Sequence, residues 1–193
     1  MLGAYCTPTM QELRLCRGDL AKIMAVIVTV FEAAGLTVSE RKDETMLLRT
    51  LDQASRTSPL VIEAAGQRYR HAAQFLYVSG LVDASAGIMP EIKRRVRLAR
   101  ACYSRFKREL YDTEAAPFTQ KVRVLKAGVM STLLYGCATW TLGKEHVAEQ
   151  RTAHHRFLLR IIGFQRRQRT DHPMSYAKAL KKAQCESVDT MIR

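Results

Sequence analysis

Cationic side chains crowd one short stretch of this chain: Lys93, Arg94, Arg97, Arg100 and Arg105, with Lys107 and Arg108 just beyond. Only Glu91 and Glu109, at its two ends, oppose them in sign. Like charges this close destabilise a helix unless a polyanion neutralises them, so the chemistry on offer is phosphate binding. A solvated helix face is the plainer alternative. Arg166, Arg167 and Arg169 offer the same chemistry from a loop; the cluster would also serve as a nuclear address, and reads equally as a solvated loop. His154 and His155 are metal-ligand types, but adjacent residues on a helix point to different faces and cannot both reach one ion. One is expected inward and one outward, with no metal bound. The five cysteines, at 6, 16, 102, 137 and 185, contain no Cys-x-x-Cys pair. They are read as free, mostly buried thiols of a reducing compartment. No Gly-rich phosphate loop and no Ser-His-Asp set is present.

The elements that must position these side chains differ between the two halves. The 193 residues carry 31 Lys+Arg against 18 Asp+Glu, a formal net charge of +13, which points to a polyanionic partner. The excess is one-sided: residues 1–90 hold nine basic and nine acidic side chains, residues 91–193 hold 22 and nine. At 47% hydrophobic and 25% charged, the composition excludes collagen, a disulfide miniprotein and a wholly disordered chain. The longest apolar run, 23–31, is too short to span a bilayer. It is read as a buried helix rather than a signal segment, in an intracellular protein.

Residues 1–17 show no regular pattern. A helix is expected to open at Gly18-Asp19, with Asp19 as N-cap, to bury Leu20, Ile23, Ile27, Val30 and Phe31, and to stop at Gly35. Short strands are expected at 36–38 and 45–48, then a hairpin around Ala65-Gly66, then a strand 75–78 ended by Ser79-Gly80. From Pro90 the period becomes helical, with Ile92, Val96, Ala99, Tyr103, Phe106 and Leu110 on one stripe. Pro117 opens a second helix burying Phe118, Val122, Leu125, Val129 and Leu133. A third covers 144–162, with Val147, His154, Leu158 and Ile161 inward and Gly163 at its end. A turn at 171–173 and a fourth helix over 174–192 complete the chain. The expected fold class is α+β: a poorly ordered segment 1–17, a small α/β unit over 18–89, and a basic all-helical unit over 90–193.

Several of these stretches resemble a known family. Ala33-Ala34-Gly35-Leu36-Thr37-Val38-Ser39-Glu40-Arg41-Lys42, followed by Glu44-Thr45-Met46, is similar to the late palm of non-LTR (LINE-type) retrotransposon reverse transcriptases. Phe75-Leu76-Tyr77-Val78-Ser79-Gly80 resembles the family's Phe-x-Tyr-Leu-Gly primer-grip hairpin. Residues 92–110 resemble the first thumb helix, and Leu133-Leu134-Tyr135-Gly136-Cys137-Ala138-Thr139-Trp140 the Leu-Leu-Tyr-Gly-x-x-x-Trp that follows. The resemblance implies an end-of-palm and thumb fragment of an RNA-directed DNA polymerase. Its Phe75, Tyr77 and Gly80 would hold a primer terminus. Lys93, Arg94, Arg97, Arg100, Arg105, Arg166, Arg167 and Arg169 would follow an RNA/DNA duplex backbone without reading sequence. Trp140 and Tyr135 are read as thumb-core residues, with stacking on bases as the alternative. Lys42 matches a lysine that approaches the incoming nucleotide's phosphates; with no nucleotide site beside it, it is read as a solvated side chain.

Three departures bear on activity. Asp43 stands where the family has Thr, and Ser79 where it has Gly. The paired aspartates that should precede the first helix are missing: the chain has seven Asp, none adjacent. In the intact family two magnesium ions held by such carboxylates stabilise the attacking and leaving oxygens. No cofactor is expected for this chain, and by itself it is expected not to polymerise. Two other readings stay open: a basic helical module that binds an acidic protein, and the product of a decayed element. The genetic code bears on the last. The codons for residues 6–12, read one nucleotide earlier, admit Tyr-Ala-Asp-Asp-Ala-Gly, the kind of sequence the catalytic turn carries. Sequencing the gene should show codons there that spell Asp-Asp in the shifted frame; codons that do not would dispose of the idea.

Overall fold

A computed structural model of the chain describes residues 17–38, 44–46, 62–64, 66–163 and 174–192. The fold class is α+β with a helical C-terminal part. The described residues separate into two compact units: those up to Tyr77 with Val82–Ala86, and Val78–Leu81 with those from Gly87 onward. Among the described residues no helix is long and apolar enough to cross a membrane.

In the first unit, helix α1 spans Arg17–Ala33. It ends before Gly35, whose φ of +73° is the left-handed conformation that glycine adopts at least cost. Asp19 lies in the first turn, not at the N-cap, where its carboxylate still suits the helix dipole. The buried face is not the expected one. Val28 is fully buried against Tyr69, flanked by Ala21, Met24, Ala25 and Val38, while Val26 and Val30 are 61% and 60% exposed. Residues 23–31 are apolar on nearly every side, so their pattern does not choose a face; contact with the sheet does.

That sheet has strand order β1-β3-β2, from β1 (Glu44–Thr45), β2 (Ile62–Ala64) and β3 (Gln67–His71). β1 runs parallel to β3, pairing Glu44 with Arg70 and Thr45 with His71. β2 and β3 are antiparallel, pairing Ile62 with Tyr69 and Ala64 with Gln67, as the Ala65-Gly66 hairpin predicts. Residues 36–38 form no strand, although Val38 packs into the core. Of the strand expected at 45–48, residues 47 and 48 lie outside the described set. The turn expected at 171–173 and the segment 1–16 also lie outside it.

β4 (Gln74–Tyr77) and β5 (Gly80–Asp83) pair as a two-stranded hairpin. Its two central residues, Val78 and Ser79, both have positive φ, +43° and +65°. Positive φ at both positions is the mark of a type I′ turn, which Asn-Gly normally fills; a β-branched valine is poorly suited to it.

In the second unit, α2 covers Met89–Arg105, with Pro90 in its first turn. Ile92, Val96, Ala99 and Tyr103 are buried as expected, but Phe106 is exposed and Leu110 only half-buried. The helix widens into a π-helical turn at Lys107–Tyr111. Such a turn inserts a residue into the period, so Tyr111 reaches the core in place of Leu110. Tyr111 stacks on Tyr103, ring centroids 4.4 Å apart, and Phe157 completes the cluster at 5.5 Å from Tyr103.

α3 (Phe118–Val124) continues through a second π-helical stretch, Leu125–Met130, into α4 (Ser131–Leu133). Val122, Leu125, Val129 and Leu133 are buried, Phe118 is not, and Met130 joins them. Hydroxyls add to the backbone bonds where this stretch ends: Ser131 Oγ donates to the Ala127 and Gly128 carbonyls, and Thr132 Oγ1 to Gly128. Gly128 faces Cys102, and a β-carbon there would meet its Sγ at 3.4 Å.

α5 runs Lys144–Ile162, the predicted span, and Gly163 closes it at φ +71°. The expected fourth helix is two helices, α6 (Tyr176–Ala183) and α7 (Val188–Met191). Gln184 turns left-handed at φ +50°, and Ser187 then caps α7 by accepting from Thr190 N at 3.2 Å. Among the described residues Cys102, Cys137 and Cys185 are free thiols, each half-buried.

The two histidines do not point opposite ways. Both rings meet Tyr176 edge-on, at 5.7 Å and 5.6 Å. Tyr176 OH accepts from Val188 N at 3.0 Å and lies 2.9 Å from His154 Nδ1, so its one hydrogen suits a neutral imidazole. Burial pushes the His154 pKa down to about 4, with His155 and Lys126 opposing its charge further. An unfolded histidine titrates near 6.5. The protein therefore holds this contribution fully above that pH and loses it as the pH falls towards about 4, about 3 kcal/mol in all. Urea unfolding at pH 7 and pH 4.5 should show a smaller loss of stability in His154→Gln than in the unsubstituted chain. An equal loss would mean that His154 is not buried in its neutral form.

Candidate nucleic-acid interface

Spacings of four and three place Lys93, Arg97 and Arg100 on one stripe of α2. All three are exposed, and among the described residues none has an acidic partner within 4 Å. Arg105 is exposed as well, but it lies roughly 140° around the helix axis from Arg100 and does not continue the stripe. Arg94 is not part of the free surface. Its Nη1 donates to the Ser79 carbonyl at 3.1 Å and stands 3.4 Å from Glu91 Oε2.

Arg95, which charge density alone does not single out, is the buried member of the series, 5% exposed. It lies among Ile92, Val96 and Ala99 on the apolar face, and its spacing from Glu91 is the sequence signal for a pair. Glu91, itself 3% exposed, receives Arg95 Nε on Oε1 at 2.5 Å and Leu81 N on Oε2 at 2.9 Å. Arg95 Nη2 also donates to the Ser79 carbonyl. The Tyr135 ring covers the Arg95 guanidinium at 4.4 Å. Tyr135 is therefore a half-exposed lid on a buried cation rather than a core residue, and Trp140 is half-buried. These bonds fasten the hairpin tip, Val78–Leu81, to the first turns of α2.

The three residues matched to a primer grip lie on one hairpin, with Tyr77 and Gly80 on either side of its turn. Phe75 is half-buried on β4, Tyr77 is exposed on the same strand, and Gly80 opens β5 behind the turn. Phe75 and Tyr77 belong to the first unit and Gly80 to the second. Lys42, Arg166, Arg167 and Arg169 lie outside the described residues.

Two further arginines, Arg156 and Arg160, join Arg100 at a cleft between α5 and α2. They are one turn apart on α5, beyond any stretch where charge density draws attention. Among the described residues no group of three or more His, Cys, Asp or Glu could hold a metal ion.

Removing one partner of a buried ion pair leaves the other charge unpaired and costs about 3–5 kcal/mol. Glu91→Leu should therefore lower stability to urea by about that amount, and the Glu91→Leu, Arg95→Met double variant by less than Glu91→Leu alone. A single variant as stable as the unsubstituted chain would show that the pair does not hold the hairpin tip.

No family model, no curated protein and no solved structure matches this chain.

Proposed function

We propose that this chain is the end of the palm and the thumb of a non-LTR retrotransposon reverse transcriptase, and that its helical unit holds the sugar–phosphate backbone of a primer–template duplex. The observation that carries the reading is the exposed stripe Lys93, Arg97 and Arg100, without acidic partners among the described residues, in a half of the chain with 22 basic and nine acidic side chains. Unpaired cations in a row favour a polyanion over a neutral surface, and binding of this kind is indifferent to base sequence. The sequence motifs of palm, primer grip and thumb support the family.

The sequence holds no adjacent aspartates, so the reading is one of nucleic-acid binding and not of primer extension. Arg166, Arg167 and Arg169 would add bonds to phosphate and a nuclear address. Fluorescence anisotropy with mixed-sequence RNA–DNA duplexes between 50 and 200 mM salt tests the reading. Affinity should fall steeply with salt and be alike for all sequences. Lys93→Gln with Arg97→Gln should flatten the slope of log K against log salt by about one for each phosphate that the variant no longer neutralises. Absence of binding at low salt would sink the reading and leave an acidic protein as the partner to seek.

A further inference from the structure

The cleft between α2 and α5 is lined by Arg100, Arg156 and Arg160, with Ala153 and Phe157 beneath them, and has a volume of about 300 Å³. Arg156 and Arg160 are exposed, and among the described residues no carboxylate lies within 4 Å of any of the three guanidiniums. The Arg160 guanidinium stands over the Tyr103 ring, 5.6 Å from its centroid, which holds it at the cleft instead of leaving it to swing in solvent. Arg156 and Arg160, one helical turn apart, repel each other in the empty state. The floor gives no face on which a base could stack: Phe157 is 2% exposed and already packed on Tyr103.

Three arginines lining one cleft with a small apolar floor suit a phosphate group, which a guanidinium can meet with two parallel donors. Arg100 is also the last member of the α2 stripe. We propose that the cleft seats one backbone phosphate of the bound strand, with Arg100 on one side and Arg156 and Arg160 on the other, so that the stripe on α2 is extended onto α5. This rests on the reading of the helical unit as a nucleic-acid binder, and adds a second helix and two residues to it.

The test leaves the α2 stripe intact. Arg156→Gln with Arg160→Gln should weaken duplex binding by tenfold or more and lower the salt slope by about one, with the circular dichroism spectrum and melting temperature unchanged. If the unsubstituted chain binds duplex and the double variant binds with the same affinity and slope, the cleft is not a backbone seat, although the α2 stripe stands. If the unsubstituted chain binds no duplex, the broader reading has failed and this one with it. A second measurement needs no variant. Modification by phenylglyoxal, mapped by peptide mass spectrometry, should be slowed at Arg156 and Arg160 by saturating duplex. Protection at Arg97 without protection at Arg156 and Arg160 would overturn the proposal. So would protection of these two by inorganic pyrophosphate but not by duplex, which would make the ligand a free small phosphate.

Discussion

The contact between Glu91 and Arg95 organises the front of the helical unit. Both side chains are buried, a costly position for charge unless each group is fully bonded. Glu91 meets that demand by taking Arg95 on one oxygen and the Leu81 amide on the other. Arg95 meets it through Glu91, the Ser79 carbonyl and the face of Tyr135. What these bonds secure is a turn that the local sequence disfavours. Positive φ at Val78 and Ser79 costs on the order of 1–3 kcal/mol at each residue, and such a turn persists only where its surroundings over-determine it. The Ser79 carbonyl, approached by both Arg94 and Arg95, is the point at which they do.

The same contact sorts the cations of α2. Arg95 is withdrawn into the core and Arg94 is committed to the turn, which leaves Lys93, Arg97 and Arg100 facing outward. Elsewhere in this unit two acidic groups are paired: Asp112 lies 3.6 Å from Lys107, and Asp189 lies 2.6 Å from Arg151. Carboxylates held in this way do not neutralise the outward stripe. Lys93, Arg97 and Arg100 therefore stay on the surface, where a polyanion can meet them.

Packing around Tyr103 shows how backbone irregularity serves the core. The π-helical turn after α2 places Tyr111 flat on Tyr103, and Phe157 of α5 closes the other side. Burial raises the pKa of the Tyr111 hydroxyl to about 12, so the stack remains uncharged at any physiological pH. In the widened stretch Leu125–Met130, Gly128 lies against Cys102, and two hydroxyls add bonds to its carbonyls. The first widening moves the core position from Leu110 to Tyr111, whereas Val122, Leu125, Val129 and Leu133 keep one buried face through the second.

Much was legible in the sequence because it depends on neighbours along the chain. Gly35 and Gly163 mark helix ends through φ alone, and the period of Val122, Leu125, Val129 and Leu133 fixes a face whatever packs there. The hairpin at Ala65-Gly66 and the division into a neutral and a basic half are also local facts. Tertiary structure decided what depends on a partner distant in sequence. It chose Val28 over Val30 because Tyr69 lies beneath α1, and put Tyr111 in place of Leu110 at the aromatic cluster. It broke the last helix at Gln184 and turned both histidines onto Tyr176. It also buried Arg95 while gathering Arg156 and Arg160 around Arg100. Periodicity reports which residues share a side of one helix; only the crossing of a second helix determines whether a guanidinium there meets a carboxylate, an aromatic ring or open water.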